Sequence, residues 1–214
     1  MAIHYTALGD SLTIGTGTPL FSPGFVQRYK KMLEEDLQER VALQVKARTG
    51  IETGDISRFL NNRFVVQWVE SADVITITGG GNDLIHALRK YEQHRDEKIF
   101  AETLDSAQQN FSEIISKIYK IKRNNDSPYA VRILNLYNPL PQVSLADRWI
   151  TNFNEHIQKF GNAPHVEIAN IYAAFKGREK ELLSMDGIHP NSLGYQIMAE
   201  TLRKLGYSFV ASPQ

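Results

Sequence analysis

The chain has 214 residues, enough for one domain that buries roughly 70% of its unfolded surface. Its 24 lysines and arginines balance 24 aspartates and glutamates, so no net field draws it to nucleic acid or to an anionic membrane. It has no cysteine, which excludes disulfides, thiolate nucleophiles and cysteine-bound zinc.

In chain order, Ile3 to Leu8 reads as a strand, and a Gly/Thr/Pro loop follows from Gly15 to Gly24. A helix is expected from Phe25 to Arg40, with Phe25, Tyr29, Met32, Leu33 and Leu37 near one face. Val41 to Val45 is a second short strand, and Thr53 or Asp55 can cap a helix running to Asn61. Asp73 to Thr78 is a third strand, β-branched at most positions. A long helical zone spans Ile99 to Lys122, a strand Tyr129 to Leu136, and another helix Leu145 to Phe160. Val166 to Ile171 gives the fifth strand and Ser192 to Leu205 the closing helix. Trp68 and Trp149 fall in patterned segments and are expected in the core.

This alternation predicts a single α/β domain over residues 1–214, a three-layer α/β/α sandwich. Its sheet is expected to be flavodoxin-like, five-stranded and parallel, in the order 2-1-3-4-5. The N-terminus shows no basic segment followed by a long apolar run, so cytoplasmic synthesis without a signal peptide is expected. No stretch reaches the ~18 apolar residues that a membrane helix needs.

In such sheets ligands bind beyond the carboxyl ends of the strands. Ser11 follows the first strand, Gly50 the second, Gly80 to Asp83 the third, and Asp186 to His189 the fifth. Serine needs a base within hydrogen-bond reach, and the base needs an acceptor that fixes its tautomer. Asp186 and His189, three residues apart before Pro190, supply base and acceptor for Ser11 if the loops meet. Alone, Asp-x-x-His also describes a turn cap beside a loop histidine.

Oxyanion donors are available at the Ser11 N–H, the Gly50 N–H and the Asn82 amide. Gly54 competes with Gly50; Gly50 is preferred because Thr53 and Asp55 then serve as cap and first-turn acid. The triple glycine 79–81 also fits a tight strand-to-helix turn with Asn82 as its cap. A phosphate- or nucleotide-binding flavodoxin-like module is the competing class, although Asp83 and the lack of a nearby lysine oppose it. A zinc site at Asp186 and His189 lacks a third ligand at fixed spacing, with His86 as the outside candidate. The Gly-x-Ser-x-Gly elbow is not completed around Ser11.

Gly9-Asp10-Ser11-Leu12, a glycine after the second strand, Gly79-Gly80-Gly81-Asn82-Asp83 and Asp186-x-x-His189 resemble the four blocks of the GDSL (SGNH) hydrolases, in order and across nearly the whole chain. His4 to Thr13, Pro23 to Tyr29 and Leu134 to Pro139 resemble more closely the germination-associated GDSL lipases of spore-forming bacilli. The resemblance implies the SGNH-hydrolase fold and a serine esterase or lipase that acts through an acyl-serine, with no cofactor and no metal. It implies Ser11 as nucleophile, His189 as base and then acid, and Asp186 as orienting carboxylate. The Ser11 N–H, Gly50 and Asn82 become the oxyanion hole, with Asp10, Gly81 and Asp83 in support. The block around Gly50 departs from the family's usual Ser-Gly context. The implied partner is a small ester or a lipid, with an acetylated sugar as the alternative, and the similar lipases suggest a spore-coat destination. Leu20 and Phe21 in the first loop, and Leu140 and Val143 after the fourth strand, could shape an acyl pocket or simply pack on helices.

Overall fold

The structure is a computed structural model, and it describes residues 2–20, 22–125 and 127–210. Strands β1 (Ile3–Gly9), β2 (Val41–Ala47), β3 (Val74–Ile77), β4 (Ala130–Leu134) and β5 (Val166–Ala169) form one parallel sheet in the order β2-β1-β3-β4-β5. This is the flavodoxin-like order that the alternation predicts. Helices α1 (Ser11–Ile14) and α2 (Phe25–Leu37) join β1 to β2, and α3 (Thr53–Phe59) and α4 (Arg63–Ser71) join β2 to β3. Helices α5 (Gly81–His94) and α6 (Lys98–Lys122) lead to β4, and α7 (Ser144–Gln158) leads to β5. The short α8 (Ile171–Phe175) and α9 (Glu179–Leu182) precede the closing α10 (Ser192–Arg203).

Strand residues alternate between two buried layers, as the two-residue period of a strand demands. Leu8, Ile75, Ile77, Val131 and Ile133 face one core with α3 to α7. Tyr5, Ala7, Val74, Ala130 and Leu134 face the other, with α2 and α8 to α10. Both faces are covered, so β3 and β4 are buried along their whole lengths.

Several boundaries differ from expectation. Helix α2 stops at Leu37 rather than Arg40 because Gln38 turns left-handed at φ 54°. Neither Thr53 nor Asp55 caps α3. Glu52 is the N-cap and forms a capping box with Asp55, while Asp55 is indeed the first-turn acid. Helix α4 arises where the sequence pattern predicts no definite element, with the Asn62 side chain accepting from the Phe64 and Val65 N–H groups. Trp68, on that helix, packs half-buried against the core.

Arg132 is fully buried within β4. It donates to the Tyr29 hydroxyl (2.5 Å), the Leu202 carbonyl (2.9 Å), the Gly206 carbonyl and Glu167 (3.1 Å). It thereby ties the end of α10 to the sheet and to α2. Arg132→Leu leaves the Tyr29 hydroxyl and the Gly206 carbonyl without this donor and Glu167 without its ion pair, and is expected to cost on the order of 3 kcal/mol. Urea unfolding checks this; an unchanged midpoint would contradict it.

Candidate active site

β1 ends where Gly9 passes under Thr78. A side chain at Gly9 would collide with the Thr78 hydroxyl and lie 2.7 Å from its carbonyl oxygen. Asp10 then caps α1, accepting from the Leu12 N–H at 3.0 Å and from the Thr78 hydroxyl at 2.8 Å. Thr78 also receives the Asp10 N–H (3.3 Å) and lies 2.9 Å from the Thr13 hydroxyl. The serine turn is therefore fastened to the end of β3. Ser11 opens α1 as a buried residue, and its first-turn N–H has no intrahelical acceptor.

Ser11 Oγ lies 3.0 Å from His189 Nε2. His189 Nδ1 lies 2.7 Å from Asp186 Oδ2, while Asp186 Oδ1 accepts from the Ser184 hydroxyl and from the Ile188 and His189 N–H groups at 2.8–2.9 Å. The three predicted residues thus form one hydrogen-bonded chain. Burial alone would raise the Asp186 carboxyl, but these hydrogen bonds outweigh it and hold the group well below the usual carboxylate range. The histidine loop is held from two sides. Tyr137 donates its hydroxyl to the Ile188 carbonyl at 2.6 Å. Gly17, at φ 99°, packs so closely that a side chain there would come within 2.7 Å of His189 Cβ.

Asn82 sits in the first turn of α5, gives one of its two amide hydrogens to the Ile51 carbonyl (2.8 Å), and lines the same cleft as Ser11. Gly81 lines the same cleft. Asp83 is buried and accepts from the Thr53 N–H (3.1 Å) and hydroxyl (2.7 Å), with Asn110 donating to that hydroxyl at 2.9 Å. The second and third loops are therefore bonded together. Gly50 lies on an exposed turn after β2 with φ 78°, open space where a side chain would go, and no place in the cleft wall. Gly54 is built into α3, facing Asn110 of α6. His86 pairs with Glu52 at 2.6 Å on the surface. Among the described residues, no group of three His, Asp or Glu side chains could hold a metal ion.

Beside Ser11 opens an apolar cleft of roughly 190 Å³. Tyr137, Leu140 and Val143 line it, the first of the two alternatives for the segment after β4. Leu20 does not; it is 84% exposed, and Phe21 lies outside the described residues. Trp149, expected in the core, is half-buried against it and also forms part of the cleft wall. Sequence reasoning missed Thr78, Thr53, Ser184 and Tyr137 as supports. Each acts through one side-chain hydroxyl, which carries no spacing signal.

Residues 7–197 match the family described as GDSL-like Lipase/Acylhydrolase. The chain belongs to that family. Among relatives of this GDSL enzyme, the spore germination lipase LipC of Bacillus licheniformis is 53% identical over 207 residues, covering 97% of this chain and 98% of the relative. An uncharacterized protein, YpmR, of Bacillus subtilis is 28% identical, covering 92% of this chain and 79% of the relative. Among solved structures, the lipase Lip_vut3 from a goat rumen metagenome is 52% identical with a TM-score of 0.93, covering 96% and 98% of the two chains. The acetylxylan esterase Axe2 of Geobacillus stearothermophilus shares the fold at 18% identity and a TM-score of 0.71, covering 98% of this chain and 96% of that one. The chain is thus a lipase/esterase of the GDSL type.

Asp10 differs electrically from Asp186. Burial raises its carboxyl above the usual range, opposed by hydrogen bonds from Thr78 and Leu12 and by the His189 charge. A raised native value contributes stability that is present at low pH and lost as pH rises through it. The stability difference between Asp10→Asn and wild type is therefore expected to move in the variant's favour between acid and neutral pH. Thermal unfolding across that range checks it; a pH-independent difference would contradict it.

Proposed function

We propose that this GDSL enzyme hydrolyses carboxylic acyl esters of lipids through an acyl-Ser11 intermediate. One observation carries the reading: a buried serine hydroxyl bonded to an imidazole at 3.0 Å, at the mouth of an apolar cleft. His189 Nε2 takes the hydroxyl proton as Ser11 Oγ attacks the ester carbonyl carbon, and the carbonyl π electrons move onto its oxygen. The Ser11 N–H and the second Asn82 amide hydrogen are the proposed donors to that oxyanion; Gly50, which the sequence suggested as a third, has no place in the cleft wall and is not among them. When the carbonyl reforms, the ester C–O bond breaks and the alcohol leaves with the proton from His189. Water then gives a proton to His189 and attacks the acyl carbon, and the acid departs as the proton returns to Ser11 Oγ.

Asp186 accepts from Nδ1–H and keeps Nε2 facing the serine. The leucine- and isoleucine-rich wall supports a hydrocarbon acyl group over an acetylated sugar, which would leave its hydroxyls unpaired there. The name of the 53%-identical relative, a spore germination lipase, supports a role in spores, and the spore coat is the proposed destination. Detection of the protein in purified spore coats tests that placement, and its absence from them would contradict it.

Ser11→Ala is expected to lower turnover of p-nitrophenyl butyrate by at least about 10³-fold without changing the thermal midpoint. Asn82→Ala is expected to lower kcat by ~10²–10³-fold with little change in KM. Wild-type rates in the Ser11→Ala protein would overturn the assignment.

A further inference from the structure

We propose that the stacked rings of Phe100 and Trp149 close the far end of the cleft and select acyl chains of about six to eight carbons. The inference rests on the esterase reading above and names the substrate class of that same site.

The cleft has a direction. Its mouth holds Ser11 and Asn82, the latter in the first turn of α5. From there Leu84, Ile85 and Leu88 line it at the three- and four-residue spacing that puts side chains on one helix face. Ala146 and Trp149 of α7 form the opposite wall. Gly81 and Ala146 are the smallest residues of the wall and Trp149 the largest.

At the C-terminal end of α5 the chain turns into α6, and Phe100 stands across the cleft. Its ring stacks on Trp149 with centroids 5.0 Å apart and planes 13° from parallel, and it leans on Tyr91 at 5.6 Å. Phe100 is 3% exposed and so has no room to swing aside. The polar groups of the wall are Asp10, Ser11, Asn82 and His189 beside the serine, the Tyr137 hydroxyl, which is spent on the Ile188 carbonyl, and the buried indole N–H of Trp149, which has no partner among the described residues. Between the serine and the aromatic pair a chain meets the apolar side chains of Leu84, Ile85 and Leu88.

The length follows from helix geometry. Gly81 to Leu88 spans seven residues, about 10 Å at the helical rise. An extended acyl chain, whose bonds of about 1.5 Å project to somewhat less along its axis, fits on the order of seven carbons in that span. Each methylene that reaches the wall improves binding by up to about fourfold, and each one beyond the aromatic pair gains nothing. Longer chains must fold back to the mouth or displace Phe100.

The test compares kcat/KM over a series of monodisperse p-nitrophenyl esters from acetyl to palmitoyl. Wild type is expected to rise at least about tenfold from acetyl to a maximum at hexanoyl or octanoyl, then fall about tenfold by palmitoyl. Phe100→Ala opens the end and is expected to move the maximum about two or more carbons longer. Leu88→Phe, at a half-buried position, fills the span and is expected to move it shorter; it decides the matter if Phe100→Ala does not fold. Profiles that coincide across wild type and variants, with hydrolysis still dependent on Ser11, would overturn the aromatic stop alone. An absence of Ser11-dependent hydrolysis of every ester would instead overturn the esterase reading.

Discussion

The contact between Ser11 Oγ and His189 Nε2 joins residues 178 positions apart, and much of the architecture serves to keep it at 3.0 Å. Closing so long a segment is entropically costly, so the loops at both ends must be fixed by the body of the domain. On the serine side, β1 lies between β2 and β3, and the Thr78 hydroxyl holds Asp10 at the start of the turn. On the histidine side, Tyr137 grips the Ile188 carbonyl, and the Ser184 N–H donates to the His189 carbonyl at 2.8 Å. The Tyr195 hydroxyl, from α10, reaches back to the Thr16 carbonyl at 2.6 Å. Each such bond contributes only about 1 kcal/mol net, but together they leave the two loops one mutual placement.

The carboxylates around this contact divide the electrostatic task by environment. Asp186 is surrounded by donors, which hold its carboxyl well below the usual carboxylate range. Asp10 and Asp83 are buried with fewer donors, and both are pushed the other way. Their charges cost stability and are retained where they organise backbone: Asp10 the α1 turn, Asp83 the loop that begins α3. Asn82 and Asp83, adjacent in sequence, bind Ile51 and Thr53 of that loop, so the candidate oxyanion donors move as one unit.

The sheet and its order were legible because the strand–helix alternation is strong and right-handed crossovers leave few topologies. Ser11, Asp186 and His189 were legible because strand ends in a parallel sheet converge at one edge, which turns distant motifs into neighbours. Helix α4 was not, since Arg63 to Ser71 is short and its apolar stripe depends on packing against α6. The α3 cap was misassigned to Thr53 or Asp55 because glutamate is an uncommon cap, and Thr53 is drawn away by Asp83. Trp149 carries a helical apolar period that places it against the core but does not show that the same ring also lines a cleft.

The most direct measurement is a crystal structure of the protein after reaction with an alkyl fluorophosphonate bearing an octyl chain. The expected result is phosphorus bonded to Ser11 Oγ, its anionic oxygen between the donors at Ser11 and Asn82, and the alkyl chain running along α5 toward Phe100. An adduct on another residue, or an alkyl chain directed away from α5 over the 15–24 loop, would contradict it.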